Sequence, residues 1–384
     1  MRIAILTTVH SALDGRIFHK QAVSLAQAGY DVTLLAPLDT DAEALARQHG
    51  IAYVPLRASG RRIDRLLQWL RLMRLVRRNR YDVWHFHDPE LLPLAIAWRW
   101  LFARQVHLIY DVHEDVPKDI LSKVWIPSYL RKPVARLAYE VERWGMRNCQ
   151  LVVAAGDSIV ERVTASARRS IVVRNYPLMR QETSVLRSST NGRPVRVIYP
   201  GTLTEVRGIR DVVQAMDELH DCAVELWLMG RFYPAAFERE IRHIAGSNVV
   251  IHPQVPFDQV PQYIQSSDIG VVCFHPTPAE LGTLPVKMFE YMQAGLPVVA
   301  SDFPVWRGII ESAGCGLLVA PGPGSSQQIA AAIRHLVNDS HLRQRMGQAG
   351  IRAVREKYSW QNEVVALIAE YDRIEGTLGL KSTR

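Results

Sequence analysis

Short runs of aliphatic and β-branched residues alternate along this chain with segments whose apolar positions recur every three or four residues. The runs at 3–9, 31–36, 52–56, 83–86, 106–110 and 151–155 predict buried strands, and stretches such as 18–28 and 63–78 predict the helices between them. Alternation of this kind predicts a parallel sheet covered by helices on both faces. The rhythm stops between about residues 175 and 194, where Ser188-Ser-Thr-Asn-Gly-Arg-Pro194 is polar and turn-rich. It then resumes, with strands predicted at 195–199, 224–229, 249–251, 269–274 and 297–300. A final helix is predicted from about 359, with Trp360, Val364, Leu367, Ile368 and Tyr371 at helical spacing. The expected fold class is therefore α/β, two doubly wound parallel-sheet domains. Residues 1–175 form the first, 176–194 a linker and 195–358 the second, with the helix at about 359–384 closing the chain.

Open wound sheets bind ligands outside the carboxyl ends of their strands. The polar residues of this chain collect there. Thr7-Thr-Val-His10 and Asp14-Gly15 follow the first strand, His87-Asp-Pro-Glu90 the fourth, and Asp111-Val-His-Glu114 the fifth. In the second half Gly201-Thr202, Gly230-Arg231, Gln254 and His275 follow successive strands. Two polar rims joined by a linker predict a cleft between the domains.

The segment Leu284-Pro-Val-Lys-Met-Phe-Glu-Tyr-Met-Gln-Ala-Gly-Leu-Pro-Val-Val-Ala-Ser301 carries the most specific chemistry. It places Lys287 three residues before Glu290 near a helix start, on one face. Met288, Phe289 and Met292 supply the apolar face, and Gly295 ends the helix. Free N–H groups at a helix start favour a phosphate. Lys287 could meet it while Glu290 accepts hydrogen bonds from two neighbouring hydroxyls, the pattern of diphosphate plus ribose in a nucleotide-sugar. The same spacing also fits an ordinary helix–strand unit with a surface Lys–Glu pair.

This segment resembles the donor-binding signature of family-4 retaining glycosyltransferases of GT-B architecture. Tyr199-Pro-Gly-Thr-Leu-Thr-Glu-Val-Arg-Gly208 resembles the same family's phosphate loop, with Arg207 where Lys is usual and Thr202 where Arg is usual. The first change keeps the charge; the second removes a cation, leaving Arg207 and Lys287 to neutralise a diphosphate. The family's two glutamates eight positions apart are not both present. Eight before Glu290 stands Gly282, and Glu280 is out of register. The resemblance implies that Glu290 holds the ribose, that the amides around Thr283 and Leu284 face the transferred sugar, and that His113 lies beside it. It implies further that Gly15 brings N–H groups to the diphosphate, and that His10 and Asp14, with His87 and Asp88, sit on the acceptor or sugar side. Asp14 also fits a helix cap. Gly201, Thr202 and Gln254 complete the expected donor site, with His113, Arg207 and Lys287 as the catalytic set. The resemblance implies that the last helix packs back on the first domain.

His85 and His87 share a strand face and, with Asp88, Glu90, His113, Glu114 and Asp115, could be taken for a metal cluster. No third ligand has a spacing typical of zinc, and GT-B enzymes are generally metal-independent, so no metal and no cofactor are expected. His85 is better read as a hydrogen-bonded core histidine.

With 48% hydrophobic and 22% charged residues, the 384-residue chain reads as a soluble globular protein of two domains. No export signal or membrane-spanning run is evident, and four dispersed cysteines form no metal or redox spacing, which together predict a cytosolic protein. The net charge of +8 is uneven: residues 1–175 carry +9 and residues 176–384 carry −1. The arginine-rich stretch 61–80 and the aromatic-basic stretches 98–104 and 125–132 could adsorb to an anionic membrane, although each also has a plain structural role. The expected function is retaining transfer of a hexose or related sugar from a nucleoside-diphosphate sugar to a saccharide or lipid-linked hydroxyl, in cell-surface polysaccharide or glycolipid synthesis. Two alternatives stay open: a GT-B sugar-nucleotide epimerase, and a non-catalytic nucleic-acid binder, which would explain the basic half alone.

Overall fold

The structure is a computed structural model that describes residues 1–56, 69, 72, 74–76, 78–102, 105–113, 115–122, 126–179, 192–256, 259–277 and 280–379. Most of the arginine-rich stretch, Arg104, Glu114, Trp125 and most of the expected linker lie outside the described residues. The chain divides into two compact units, Met1–Asn175 with Glu363–Arg384, and Tyr176–Asn362.

The first unit is built on a seven-stranded sheet of order β3-β2-β1-β4-β5-β6-β7, parallel throughout. Its strands are β1 (Arg2–Leu6), β2 (Asp31–Pro37), β3 (Ala52–Leu56), β4 (Val83–Phe86), β5 (His107–Val112), β6 (Leu151–Ala154) and β7 (Ser170–Val172). Strand order reverses between β1 and β4, the switch point at which wound sheets open a crevice. Central strands β4 and β6 are buried at every position, as strands covered on both faces must be. Helices α1 (Leu92–Phe102) and α2 (Ser128–Asn148) follow β4 and β5.

The second unit repeats the plan with six parallel strands ordered β10-β9-β8-β11-β12-β13. They are β8 (Val195–Pro200), β9 (Val224–Met229), β10 (Val249–His252), β11 (Ile269–Val272), β12 (Val298–Ser301) and β13 (Gly316–Val319). Its switch point lies between β8 and β11. Helices α3 (Ile209–Asp217), α4 (Val286–Gln293) and α5 (Ser340–Glu356) cover this sheet. The final helix α6 (Trp360–Thr377) begins in the second unit, and from Glu363 it belongs to the first. There the Tyr30 hydroxyl donates to Asp372 at 2.6 Å, and the Met1 ammonium pairs with Glu375 at 3.2 Å.

Element ends differ from the sequence pattern for local reasons. The run 3–9 stops at Leu6 because the Thr7 hydroxyl accepts the amides of Val9 and His10 and turns the chain. The helix expected at 18–28 opens as a π-helical turn, Ile17–Ala22, in which Gln21 N–H reaches back to the Arg16 carbonyl at 3.0 Å. β5 runs two residues beyond its expected end because Asp111 is buried with partners of its own. β7 and β13 were not foreseen. The first is a three-residue strand at the sheet edge, and the second begins at Gly316, where a Cβ would lie 2.1 Å from the Val298 carbonyl oxygen.

Candidate active site

In the second unit the chain leaves β8 into Gly201, which has φ 122°, and climbs through Arg207-Gly208 into α3. Glycine is required at three points of this rim. Gly208, at φ 67°, lies so close to β11 that a Cβ would stand 1.8 Å from the Cys273 carbonyl oxygen. A Cβ on Gly230, after β9, would stand 2.1 Å from the Gly201 carbonyl oxygen. At Gly201 itself the added carbon would meet Lys287 Nζ at 3.0 Å and an Arg207 terminal nitrogen at 3.9 Å. The backbone of Gly201, the Lys287 ammonium and the Arg207 guanidinium thus converge.

Helix α4 holds Lys287 by packing on three sides. Tyr291 crosses the sheet with its hydroxyl 3.2 Å from the Ile198 carbonyl, against a Gly270 that could carry no side chain there. Phe289 sits among Tyr176 and Tyr358, ring centroids 4.7 and 5.4 Å away. Gly347 and Gly350 of α5 allow close approach to Gly295 and Met292. The loop before α4 is pinned by the buried Trp306, whose indole N–H donates to the Thr283 carbonyl at 2.6 Å.

Lys287 Nζ is shut off from solvent and has no hydrogen-bond partner. It lies 3.7 Å from the Tyr199 ring centroid and 5.6 Å from that of Phe274, which also carries Arg207 at 5.5 Å. Burial first, and then the Arg207 charge, push the Lys287 ammonium well below its ordinary value, against the opposing carboxylates of Glu290 and Glu280. A buried cation and a half-buried one that repel each other are poised for a multiply charged anion. Glu280 opens a short helical turn (Glu280–Gly282), and its charge acts on both Lys287 and Tyr199. The sequence register had set it aside; the fold brings it into the same electrostatic neighbourhood.

The other expected donor residues are placed less tightly. Thr202 is exposed, and its carbonyl lies 3.4 Å from the Tyr199 hydroxyl. Leu284 packs on the core of the unit, and Gln254 is exposed beyond β10. Asp211, which sequence reasoning did not single out, braces the rim together with His275. Buried Asp211 takes His275 Nε2 at 2.8 Å and the Gly324 amide at 2.7 Å, tying α3 to the loops after β11 and β13.

In the first unit, the ends of β1, β4 and β5 assemble a buried polar array. Asp111 is fully buried and accepts from Arg16 Nε at 3.1 Å and a terminal Arg16 nitrogen at 2.7 Å, with Gln21 as a third donor. Burial alone would raise the Asp111 carboxyl; the Arg16 charge first, and then His113, whose Nδ1 lies 3.6 Å away, and His87 outweigh it and hold it well below the ordinary range. His113 Nε2 stands 3.0 Å from His10 Nε2, and His10 lies 3.5 Å from Asp88. Asp88 is buried and accepts from Thr7 and Thr8 hydroxyls and the Thr8 amide. His10, Asp88, His113 and Asp111 therefore form one connected line. Asp14 spends a carboxylate oxygen on the amides of Arg16 and Ile17, so it caps the π-turn that aims Arg16. Gly15 sits half-buried between them.

His85 and His87 stack behind this line at 4.9 Å, and His85 Nδ1 lies 2.7 Å from the Tyr371 hydroxyl of α6. Burial pushes His85 down to about 4 and His87 well down, so both imidazoles are neutral. Among the described residues, His85, His87 and Asp111 are one group with ligand atoms within 4.8 Å of one another. The Asp111 oxygens, however, are held by Arg16 and Gln21, and the guanidinium supplies the compensating charge.

Two wound parallel sheets, each with its polar rim at a switch point and a phosphate-type cradle on the second, define the GT-B class of glycosyltransferase. Residues 2–175 match the family described as Glycosyltransferase Family 4, and residues 194–339 match Glycosyl transferases group 1. The chain belongs to the group 1/family 4 glycosyltransferases and moves a sugar from a nucleotide-sugar donor. It is 24% identical over 308 residues to a phosphatidyl-myo-inositol mannosyltransferase of Mycobacterium leprae, covering 77% of this chain and 74% of that one. HepE of Anabaena in complex with UDP superposes with a TM-score of 0.74 at 14% identity, over 97% of this chain and 100% of that one. A sucrose-phosphate synthase of Thermosynechococcus elongatus superposes with a TM-score of 0.72 at 16% identity, over 98% of this chain and 99% of that one.

Proposed function

We propose that this enzyme transfers a hexose, with retention, from a nucleoside-diphosphate sugar to a hydroxyl on a lipid-linked or cell-surface saccharide, without a metal ion. The single observation that carries the reading is the convergence of Lys287 and Arg207 on the Gly201 backbone, with the Lys287 ammonium buried and unpartnered. A diphosphate supplies the charge this cradle calls for. Glu290, on the same helix as Lys287, takes the ribose hydroxyls, and the Gly201, Thr202, Gln254, Thr283 and Leu284 segments complete the donor site. His113 meets the transferred sugar, steadied by His10 and Asp111; Gly15, Asp14, His87 and Asp88 belong to the sugar and acceptor side.

In the front-side picture that the family resemblance implies, the bond from the anomeric carbon to the donor phosphate oxygen breaks. The acceptor oxygen bonds the same carbon on the same face, and its proton passes to the leaving phosphate. Charge then grows on the diphosphate, where Arg207 and Lys287 stabilise it. No side chain has to act as general base. The lipid-linked class of acceptor draws support from the mannosyltransferase relative, named for a phosphatidylinositol substrate, and from the basic first half.

A thermal-shift screen of UDP- and GDP-sugars, followed by transfer assays with the stabilising donor, tests the reading. A ligand that binds only the folded chain raises its melting temperature. A donor that stabilises the wild type but not Lys287→Ala supports the cradle. Conversion of the donor to its epimer without an acceptor would replace transferase by isomerase.

A further inference from the structure

Helix α2 is packed inside out. Its buried side consists of Ala135, Glu142, Gly145 and Met146, and a Cβ on Gly145 would stand 2.7 Å from the Leu92 side chain. Apart from Met146, its large apolar residues face solvent instead: Tyr129 is 77% exposed, Leu137 65% and Trp144 42%, with Leu130, Val134 and Val141 also exposed. Leu130, Val134, Leu137, Val141 and Trp144 follow one another at steps of four, three, four and three, so they form one straight stripe along the helix. An ordinary surface helix turns such a stripe inward. Here the small residues and one paired carboxylate (Glu142, held by Tyr110 and Arg162) take the inner side.

The rest of the exposed sector is basic. Lys132, Arg136, Arg143 and Arg147 lie on this helix against one exposed acid, Glu140, which Arg143 neutralises at 3.3 Å. A second copy of the chain would bring like charges together along the stripe. An anionic lipid surface would receive both features: the apolar stripe enters the headgroup boundary while the long basic side chains reach phosphates beside it.

We propose that α2 is the membrane-docking element of this protein, seating the Leu130–Trp144 stripe in an anionic bilayer surface without any segment crossing it. No helix of the described residues is long and apolar enough to cross. The exposure of so contiguous an apolar row on a charged surface thereby has an occupant. The purpose of docking, to reach a lipid-borne acceptor, rests on the proposed function; the docking itself does not.

The test is sedimentation of the full chain with vesicles of phosphatidylcholine containing 30 mol% phosphatidylglycerol, against pure phosphatidylcholine, at roughly 50 and 200 mM salt. The wild type should bind the anionic vesicles and weaken at the higher salt. Leu137→Ser with Val141→Ser should lower partitioning by about tenfold or more at both salts, because stripe contacts are not screened. Lys132→Ser, Arg136→Ser and Arg147→Ser should each lower it about fivefold at low salt. All these positions are outside the core, so far-ultraviolet dichroism and melting should be unchanged, and the thermal shift by UDP or GDP, whichever stabilises the wild type, should persist in every variant. That persistence separates the two readings: lost vesicle binding with intact nucleotide binding concerns docking alone. Wild-type protein that ignores anionic vesicles at low salt would overturn the proposal. So would stripe variants that bind like wild type, or a wild-type dimer that the Leu137→Ser, Val141→Ser variant converts to monomer.

Discussion

The Lys287 ammonium stands 3.7 Å from the centroid of the Tyr199 ring and has no hydrogen-bond acceptor. A cation against an aromatic face is partly compensated, but a buried ammonium beside a guanidinium is not at ease until an anion arrives.

Lys287→Ala and Arg207→Ala should each lower turnover by about one order of magnitude or more. If both serve one diphosphate, the double variant should lose less than the product of the single losses. Fully multiplicative losses in steady-state kinetics would assign them separate roles.

The lowered titration of Lys287 makes a stability prediction with a definite sign. Between its depressed folded value and the ordinary 10.5, the unfolded chain binds more protons than the folded one. The melting temperature of the ligand-free protein should therefore rise with pH across that window, and Lys287→Met should flatten this part of the profile. Binding of the stabilising nucleotide should raise the titration of Lys287 again, so that proton uptake appears within that pH window as a buffer-dependent enthalpy in titration calorimetry. The same pH slope in Lys287→Met would assign the effect elsewhere.

Glu290→Gln should weaken donor binding, because a neutral amide is a poorer acceptor for ribose hydroxyls; hydrogen bonds to charged groups contribute about 1.5–3 kcal/mol. Unchanged affinity for the stabilising nucleotide-sugar would remove Glu290 from the site.

Much of this was legible because the chemistry of the second unit is local. Lys287 and Glu290 share one helix turn, and Gly201 and Arg207 share one loop, so spacing alone groups them. The Arg16–Asp111 pair at the heart of the first unit's polar rim was not, because it is made by tertiary pairing. Arg16 and Asp111 are ninety-five positions apart, and only the parallel arrangement of β1, β4 and β5 brings them together. The available signal was a carboxylate inside an apolar strand, since a buried Asp must find a cation. Glu280 shows what register by itself does not report. A register rule excluded it, yet a short helical turn carries its charge to Lys287. The inverted face of α2 was likewise hidden, because periodicity reports that an apolar stripe exists and not which way it points.

The ion pair of the first unit yields a stability test. Arg16→Met leaves Asp111 buried without its cation and should cost about 3–5 kcal/mol. Asp111→Asn in that background should recover part of the loss. Because the Asp111 carboxyl is held below its ordinary range, the stability it contributes is present above the unfolded value and disappears as the pH falls through the folded one. Chemical denaturation of the single and double variants at neutral pH measures the coupling, and additive losses would show that the two side chains act independently.

The remaining prediction concerns metal. His85, His87 and Asp111 have the proximity of a ligand set, yet a divalent ion there would compete with Arg16 for Asp111 and break a two-pronged pair. Of the two neutral imidazoles, His85 spends Nδ1 on Tyr371, while His85 Nε2 and both His87 nitrogens are buried without a hydrogen-bond partner. On the donor side Arg207 and Lys287 already supply the two positive charges that a magnesium ion would otherwise bring to a diphosphate. Transfer activity should therefore survive exhaustive dialysis against a chelator, and added magnesium or manganese should leave the rate within about twofold, the spread expected of a weak medium effect. Activity lost on chelation and restored by one divalent ion would overturn this. If His87→Ala then abolished the restoration while the fold stayed intact, the metal would be placed at the histidine group.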